Sequence, residues 1–219
     1  MQFTRVIPVL LLKNNGLVKT VKFKNSKYIG DPINAMKIFN TKEVDELVIL
    51  DIMATKNKRE PDYKFIKEIV SEAFMPIGYG GGVSKLEHIR KLFQLGVDKV
   101  IINSAAILES DLIKKASEIY GNQSIIVSLD VKKDMWGQYK LYSHPNNKKI
   151  KLDLFQFIKK IESLGAGEII VNSVDNDGVM NGYDTNLIES VSKSVKVPVI
   201  ALGGAGSIKD LKSAVIHGA

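Results

Sequence analysis

The chain contains 219 residues, of which 45% are hydrophobic, and it has no cysteine. A chain of this length and apolar content can bury one large core, so we expect a single domain over residues 1–219. The lack of cysteine excludes disulfides and thiolate metal sites, which fits a reducing compartment. The first apolar run is interrupted by Pro8 and closed by Lys13, too short for a signal peptide or a membrane span, and we therefore expect a cytoplasmic protein.

The formal net charge of +7 arises from 31 Lys and Arg against 24 Asp and Glu. Nucleic-acid binding is one explanation of such an excess. We interpret it instead as lysines spread over the outer faces of helices, without clustered aromatic residues, and we predict no nucleic-acid partner. A third explanation, attraction of anionic phosphate compounds by a few lysines near a site, stays open.

Apolar runs of strand length alternate with amphipathic helical segments along the whole chain, which is typical of a parallel sheet covered by helices. Strands are predicted at residues 5–12, 46–51, 76–80, 98–102, 124–130, 167–172 and 198–202. Helices are predicted at about residues 30–42, 60–73, 84–95, 109–120, 152–164, 184–194 and 207–217. Ser84 and Ser207 are candidate N-caps.

An internal repeat favours a closed barrel over an open sheet. Four features recur at one interval of 122 residues: Glu46 and Glu168, Pro76 and Pro198, Gly81–Gly82 and Gly203–Gly204, and Gly96 and Gly218. The chain therefore divides into two (βα)4 halves, at about residues 1–120 and 121–219. Two such halves close naturally into a (βα)8 TIM barrel, which is the predicted fold.

The second copy of the repeat stops earlier than the first. After Gly96 the first copy continues into a fourth strand and helix, whereas the second copy reaches Ala219 directly after Gly218. We therefore expect that the eighth βα unit is missing from this sequence and that its C-terminal end is incomplete. The alternative is a natural barrel of seven strands with open edges.

One acid at the end of a buried strand is the first candidate for chemistry. The apolar run from Ser124 ends at Asp130, and loops at the carboxyl ends of parallel strands build the sites of such folds. The first strand has a similar ending, in which Leu10-Leu11-Leu12-Lys13 aligns with Leu129-Asp130-Val131-Lys132. In that alignment Leu11 stands where Asp130 stands.

Two glycine-rich loops follow the third and seventh strands. Glycine lets backbone amides approach a phosphate closely, so we predict one phosphate site at each loop, on opposite sides of one rim. Asn103 and Ser104 would complete the first site, and Asp177 and Gly178 the second. The predicted phosphate ligands are the backbone or side chains of Gly81, Gly82, Asn103, Ser104, Asp177, Gly178, Gly204 and Ala205. Two facing sites imply a substrate that carries a phosphate at each end.

These motifs together resemble the cyclase subunit of imidazole glycerol phosphate synthase, the HisF family. The resemblance is colinear over all 219 residues and is carried by the runs Gly30-Asp-Pro, Asp45-Glu-Leu-Val-Ile-Leu-Asp51, Gly80-Gly-Gly-Val, Asp98-Lys-Val-Ile-Ile-Asn-Ser-Ala-Ala106, Gly165-Ala-Gly-Glu168, Asp177-Gly, Asn181-Gly-Tyr-Asp184 and Gly203-Gly-Ala-Gly206.

The resemblance implies a (βα)8 barrel that forms a heterodimer with a HisH-type glutaminase. Such a barrel uses ammonia from the glutaminase to convert a bis-phosphorylated ribulosyl formimino carboxamide nucleotide. The products are imidazole glycerol phosphate and an aminoimidazole carboxamide ribotide, a lyase reaction of histidine biosynthesis. No cofactor is implied, and the three histidines show no metal-ligand spacing, so no metal site is predicted.

The resemblance also assigns roles to individual residues. Asp130 matches one of two acids that share proton transfer, whereas Leu11 occupies the position of the other. Lys19 matches a lysine on a mobile loop that closes over substrate, and Asn14 replaces an acid that is usual in that loop. At the opposite face of the barrel, a ring of charges is implied to gate ammonia, and two further residues to contact the glutaminase. These are Arg5, Glu46, Lys99 and Glu168 in the gate, and Asp98 and Gln123 at the contact.

Leu11 leaves three hypotheses open, because leucine cannot take or give a proton. The first is an ordinary cyclase subunit of histidine biosynthesis. The second is a divergent paralogue that relays ammonia to a third, sugar-amidating enzyme, an activity associated in the family with surface polysaccharides. The third is a barrel that binds a phosphorylated ligand without catalysis. Leu11 favours the second hypothesis over the first, and the intact gate favours the second over the third.

Overall fold

The computed structural model describes residues 4–219, and its centre is a curved sheet of parallel strands. Seven strands lie side by side in the order β11-β10-β7-β6-β5-β4-β1. They are β1 (Val9–Lys13), β4 (Leu47–Asp51), β5 (Ile77–Gly80), β6 (Lys99–Ile102), β7 (Ile125–Lys133), β10 (Glu168–Ser173) and β11 (Val199–Leu202). Apart from the first, which begins at residue 9 rather than 5, these strands begin and end within three residues of the predicted bounds.

Helices cover the outside of this sheet. They are α1 (Pro32–Thr41), α2 (Tyr63–Ser71), α3 (Leu86–Gln94), α4 (Ser104–Leu108), α5 (Asp111–Tyr120), α6 (Leu154–Ser163), α7 (Thr185–Ser192) and α8 (Ile208–Ile216). Each except the short α4 was predicted. The curled parallel sheet with outer helices is a TIM-barrel-like α/β fold, which confirms the predicted fold class. Within residues 4–219, no pairing joins β11 to β1.

Five of these eight helices begin at a side-chain cap or a capping box, whereas α3, α4 and α5 begin without a side-chain capping hydrogen bond. Asp31, Asp62, Asp153 and Asp184 each accept a hydrogen bond from the backbone N–H three residues later. Ser207 is the N-cap of α8, and the carboxylate of Asp210 accepts hydrogen bonds from its N–H and hydroxyl. The prediction of Ser84 as an N-cap is wrong, because the chain stays extended for one more residue and Lys85 takes that position.

Side chains alternate between two sides of the strands. Leu47 and Ile49 face the helices and join the large outer core, whereas Val48 packs inside the barrel. The inner cluster consists of Val48, Ile101, Ile126 and Ile170, with Ile7, Val9, Leu50, Ile200 and Leu202 against it. The barrel interior is therefore apolar at mid-height. No helix among the described residues is long and apolar enough to cross a membrane.

Two hairpins extend from the carboxyl ends of the strands, and neither was predicted in detail. The first is formed by β2 (Gly16–Val21) and β3 (Lys24–Gly30), which continue from β1. The second is formed by the end of β7, by β8 (Tyr139–Ser143) and by the short β9 (Lys148–Lys149). A 3₁₀ turn over Asn122–Ser124 leads into β7. Both hairpins lie at the end of the barrel where the sequence places the site.

Candidate active site

A cavity of 210 Å³ opens at the carboxyl ends of the strands. It is lined by residues from β1, β4, β6, β7 and β10, by the first glycine loop and by both hairpins. The lining includes Val9, Leu11, Thr20, Phe23, Leu50, Asp51, Thr55, Gly80–Gly82, Ile101, Asn103, Ser104, Ser128, Asp130, His144, Asn172, Asp177 and Leu202. The lower wall is apolar and the upper wall is polar, as expected for a site that meets solvent above a packed barrel.

Asp130 is a buried carboxylate of this cavity, 9% exposed. Its Oδ2 accepts a hydrogen bond of 3.2 Å from Nδ2 of Asn103, and its Oδ1 lies 3.5 Å from Nδ2 of Asn172. Burial raises the pKa of Asp130 to about 7; the amide of Asn103 opposes the rise and the charge of Asp177 adds to it. At neutral pH this carboxyl group can therefore either donate or accept a proton.

Leu11 lies on the wall of the same cavity as Asp130. It is inward-facing for the same reason as Val9, since residues two apart on a strand share a face. Its register partner on the neighbouring strand is Leu50, and both are half-buried. The structure thus brings the two aligned strand ends together at one cavity, with a carboxylate at one of them and an aliphatic side chain at the other.

The first glycine loop follows β5 and requires glycine at two consecutive positions. Gly81 and Gly82 have φ of 121° and 71°. A Cβ on Gly81 would lie 2.5 Å from the carbonyl oxygen of Asp51, and one on Gly82 would lie 2.6 Å from that of Arg59. The N–H of Gly82 points towards Oγ1 of Thr55 at 3.4 Å, a long hydrogen bond. Asn103 and Ser104 line the same cavity as this loop, and phosphate binding by these residues stays a prediction.

The second glycine loop follows β11, and part of its backbone is hydrogen-bonded within the protein. The carbonyl oxygen of Gly204 accepts a hydrogen bond of 2.9 Å from the N–H of Gly182, and Gly204 is buried. Ala205 is exposed at the start of the turn into α8. Gly203 and Gly204 have φ of 85° and 120°, which favours glycine at both positions. Phosphate binding by this loop stays a prediction.

Asp177 and Gly178, predicted at the second cradle, hold the first hairpin in place. The Asp177 carboxylate accepts hydrogen bonds of 3.0 Å from Oγ1 of Thr20 and 3.4 Å from the N–H of Phe23. Its carbonyl oxygen accepts a bond of 2.8 Å from the N–H of Lys22. Burial raises the pKa of Asp177, and the two bonds to its carboxylate oppose the rise. Binding of a phosphate by these two residues stays a prediction.

The two hairpins meet above the cavity. The ring of Phe23 lies edge-on to His144 with centroids 5.3 Å apart, and it is 6.2 Å from the ring of Tyr142. Lys22 and Phe23 form the tip of the first hairpin and both have positive φ, 51° and 61°. Lys19 lies on β2 opposite Lys27, is exposed, and is not among the residues that line the cavity. Asn14, in the turn before β2, also has positive φ.

At the opposite end of the barrel, the four predicted gate residues form a closed ring of ion pairs. Arg5 contacts Oε2 of Glu46 and Oε1 of Glu168, each at 2.6 Å. Lys99 contacts the same two oxygens at 2.8 and 3.1 Å. Each cation thus bridges both carboxylates, and each carboxylate bridges both cations. Glu46 is 3% exposed and Glu168 is 8% exposed.

Ring and cavity lie on the same inward-facing rows of side chains. Alternation along single strands leads from Glu46 through Val48 to Leu50, and from Glu168 through Ile170 to Asn172. Four residues of strand span about 13 Å. The second oxygens of the two carboxylates, Oε1 of Glu46 and Oε2 of Glu168, are buried and have no hydrogen-bond partner among residues 4–219.

Asp98 and Gln123, predicted at a subunit contact, lie on the same face as the ring. Both are exposed. Oδ2 of Asp98 accepts a hydrogen bond of 2.8 Å from the N–H of Ile77, so this side chain also holds the start of β5. Gln123 is part of the 3₁₀ turn before β7. Their contact with a partner stays a prediction.

Several cavity residues were missed by the sequence analysis. Asp51 ends an apolar strand in the sequence as Asp130 ends the predicted strand 124–130, so it could have been recognised in the same way. Its carboxylate forms a 2.8 Å ion pair with Arg59. Asn172, a polar residue near the end of a buried strand, could also have been recognised from the sequence. Thr20, Phe23 and His144 reach the cavity only because the hairpins fold over it. Among residues 4–219, no cluster of three or more His, Asp or Glu is arranged to hold a metal ion.

The fold and the cavity define a TIM-barrel-like protein whose site lies at the carboxyl ends of its strands. Residues 5–219 match the model of the family described as "Histidine biosynthesis protein". The chain is 52% identical over 207 residues to "Putative imidazole glycerol phosphate synthase subunit hisF2" of Pseudomonas aeruginosa, covering 94% of this chain and 82% of that protein.

Two further relatives extend the comparison. The chain is 48% identical over 213 residues to "Putative imidazole glycerol phosphate synthase subunit hisF3" of Vibrio vulnificus, covering 97% of this chain and 82% of that protein. It is 42% identical over 207 residues to "Imidazole glycerol phosphate synthase subunit HisF" of Petrotoga mobilis, covering 94% and 82%. The chain therefore belongs to the histidine biosynthesis protein family, and its resemblance to the cyclase subunit of an enzyme complex is confirmed.

Proposed function

We propose that the protein conducts ammonia from a HisH-type glutaminase through the barrel and passes it to an acceptor at the cavity, with little of the family's ring closure. The observation that carries this proposal is one continuous column of side chains that face the inside of the barrel. It begins at a closed charge ring and ends at a cavity where Leu11, and no acid, occupies the strand-end position that aligns with Asp130.

The ring supports the entry step. Ammonia is neutral and small, whereas ammonium carries a charge that an apolar interior excludes. A ring of four paired charges resists bulk water and ions, and moving one cation aside would open a path between two carboxylates. Lys99 is the better candidate for that movement, since its ammonium is a single point charge on a flexible chain and Arg5 is held through two guanidinium nitrogens.

The barrel interior supports the transfer step. Between the ring and the cavity lie Val48, Ile101, Ile126 and Ile170, whose side chains offer no hydrogen bond to a charged or strongly hydrated species. A neutral molecule that enters at the ring is kept from water over about 13 Å, the length of four strand residues. The apolar layer therefore favours delivery to the cavity over loss to solvent.

The cavity supports altered chemistry. Proton transfer by a positioned group contributes roughly 10²–10⁴-fold to a rate, and Leu11 cannot supply it. Asp130 retains one such group, poised by its raised pKa of about 7. The amides of Asn103 and Asn172 orient its carboxylate. The first glycine loop, with Ser104, supports binding of a phosphorylated ligand, and the acceptor reaction we propose is amidation of a sugar by a third enzyme.

A second candidate is the ordinary cyclase of histidine biosynthesis. It is favoured by the 42% identity to the Petrotoga mobilis protein, whose name carries no mark of a paralogue. It is also favoured by Asp130, since a carboxyl group that titrates near neutrality suits either half of a proton-transfer cycle. A barrel that binds a phosphorylated ligand without catalysis is the third candidate.

The experiment uses the protein purified together with its glutaminase subunit. Glutamine hydrolysis is measured first, then conversion of the bis-phosphorylated family substrate with glutamine or with ammonium salt. We expect hydrolysis that depends on the complex, together with very slow cyclisation from either nitrogen source. Cyclisation at the rate of the Petrotoga mobilis subunit would overturn the proposal in favour of the ordinary cyclase. Absence of complex-dependent hydrolysis would instead favour the binding barrel.

A further inference from the structure

The positive charge of this protein is concentrated in two segments at the cavity mouth. Residues 13–30 and 132–151, which we call the lysine rim, hold eleven of the 31 Lys and Arg and one of the 24 Asp and Glu. The rest of the chain, with 20 cationic and 23 anionic side chains, is slightly acidic. The interpretation of the excess as lysines spread over the outer helices is therefore wrong.

The two segments of the lysine rim form one continuous surface. Each is a hairpin that extends from the carboxyl end of a barrel strand, and both contribute to the cavity wall. The packing of Phe23 against Tyr142 and His144 joins them. The ammonium group of Lys132 lies 5.4 Å from the centre of the Tyr142 ring, close to this junction. Any molecule that covers the mouth therefore meets both hairpins.

The charges of the lysine rim are largely uncompensated within residues 4–219. Lys133 is its one member with an ion pair in this range, at 2.8 Å from Asp184. Lys19 and Lys27 lie directly opposite each other on β2 and β3, an arrangement that destabilises a strand pair. Stability of the fold therefore does not account for the concentration of lysine. A negatively charged ligand surface would relieve this repulsion.

The second hairpin also presents an apolar anchor on a fixed turn. Met135 is 84% exposed and Trp136 is 79% exposed. Oδ1 of Asp134 accepts hydrogen bonds from the N–H groups of Trp136 (3.0 Å) and Gln138 (2.9 Å), which hold the turn. Tryptophan is the residue type most enriched at the energetic centres of protein interfaces. An exposed tryptophan on a hydrogen-bonded turn within a basic surface has the composition of a protein interface.

We propose that the lysine rim docks an acidic face of the protein that accepts ammonia from this barrel. This inference rests on the proposed ammonia relay, which requires a partner that seals the mouth against water. The surface is too large for one small molecule, because the seven residues of β3 alone extend about 23 Å. Opposite charge on the partner would speed association and fix its orientation, while Trp136 would supply desolvated contact area.

Trp136 makes the test direct, because it is the chain's one tryptophan. The complex with the glutaminase is titrated at physiological salt with a short poly-glutamate peptide, provided that the glutaminase's own tryptophans are replaced by phenylalanine. Acrylamide quenching of the remaining emission measures exposure of Trp136. We expect the peptide to protect Trp136 from quenching, and added salt to reverse the protection.

Two charge-matched variants locate the binding surface. The triple substitution Lys22→Glu, Lys24→Glu and Lys27→Glu reverses exposed charges of the first hairpin. The control Lys64→Glu, Lys67→Glu and Lys115→Glu changes the net charge equally on α2 and α5. We expect the rim variant to weaken peptide binding by at least about tenfold and the helix variant to change it much less. Circular dichroism and a thermal melt of each variant verify folding.

The competing occupants are separate outcomes. A single-stranded oligonucleotide or a phosphatidylglycerol vesicle that protects Trp136 more strongly than poly-glutamate would overturn the acidic protein as partner. Equal losses in the rim and helix variants would overturn the rim as the surface, as would a lack of protection by the peptide. The titration uses neither glutamine nor ammonia, so failure of the ammonia relay in the hydrolysis assay remains a distinct result.

Discussion

The two ends of this barrel handle charge in opposite ways. At the amino ends of the strands, two cations and two carboxylates form a closed ring in which every member has two partners. At the carboxyl ends, Asp130 is buried beside two amides, and within residues 4–219 it has no ion pair, while Lys133 is the one lysine of the rim with an acidic partner. The paired charges of the ring form a fixed and nearly neutral layer. Asp130, which is unpaired, keeps a raised pKa, and the unpaired lysines leave a surface that can bind a ligand.

One scaffold therefore holds compensated charges at one end of the barrel and uncompensated charges at the other. The ring can be tight because its charges compensate each other and need no ligand. Asp130 could not be paired in the same way and keep its raised pKa. A cation beside its carboxyl group would lower the pKa away from neutrality, where proton transfer is most effective. Four substitutions test this difference, and they follow from the largest expected effect to the smallest.

The largest effect is expected from completing the cavity with its second acid. Leu11→Asp should raise turnover of the bis-phosphorylated family substrate with ammonium by roughly 10²–10⁴-fold, because a second positioned acid restores proton transfer. Steady-state kinetics measure this, and substrate binding should change much less. Leu10→Asp is no suitable control, since it faces the outer core; Asp130→Asn in the Leu11→Asp background should abolish the gain. A variant that binds substrate and stays inactive would mean that further positions, Asn14 first, have diverged.

The second effect is expected from breaking the ring. Lys99→Met leaves two buried carboxylates with Arg5 as their remaining partner, and we expect a loss of about 3 kcal/mol in the free energy of unfolding. Lys114→Met, on the exposed face of α5, should change it by less than about 0.5 kcal/mol. Urea unfolding compares the two. The ring would be shown to contribute little if both variants unfolded at the same urea concentration.

The third effect concerns the unpaired carboxyl group of Asp130. Because its pKa is raised from 3.8 to about 7, the native state binds more protons than the unfolded state between these values, so stability falls as pH rises through that window. Asp130→Asn should remove this fall. The difference in the free energy of unfolding between the variant and the wild type should therefore shift in favour of the variant by about 2 kcal/mol from pH 4 to pH 8. This is less than the full pKa shift implies, because cavity water solvates the carboxylate. Parallel pH profiles of the two proteins would contradict the raised pKa.

The smallest effect is expected where Asp177 holds the first hairpin. Thr20→Val keeps the shape of the side chain but removes the hydroxyl donor to Asp177, at a cost of about 1 kcal/mol. Hydrogen exchange at the amides of Lys22 and Phe23 should become faster, while exchange in β7 stays unchanged. The matched control is Thr41→Val, whose hydroxyl bonds within α1. Unchanged exchange at the hairpin tip would show that the backbone bonds to Asp177 and the packing of Phe23 hold it without the Thr20 hydroxyl.

Most of the barrel could be predicted from sequence because each of its elements is encoded locally. β10 is buried at all six positions, and its centre appears in the sequence as the apolar run Ile169–Val171. The repeat at an interval of 122 residues predicted a closed barrel rather than an open sheet. The position of Asp130 at the end of a predicted strand indicated the site. The charge ring was implied by the resemblance, and the inward alternation of side chains explains why its four members meet.

The hairpins could not be predicted in the same way. β3 has six exposed residues of seven, so its pattern carries no apolar alternation, and its strand form depends on pairing with β2. The Lys22–Phe23 tip lacks the Asn-Gly signature of a tight hairpin. Its backbone is held by Asp177, which is more than 150 residues away in sequence. The lysine rim was overlooked for this reason, since its two halves are distant until both hairpins fold over the mouth.

The sequence by itself determined the alternating strands and helices, the acid at one strand end and the leucine at the other. These are properties of apolar periodicity and residue identity, which need no knowledge of partners. The tertiary structure alone decided that Asp130 is surrounded by amides rather than cations, and that the hairpins unite into one basic mouth. Burial and charge pairing depend on residues far apart in the chain, because the pKa of a group and the field of a surface are set by neighbours in space.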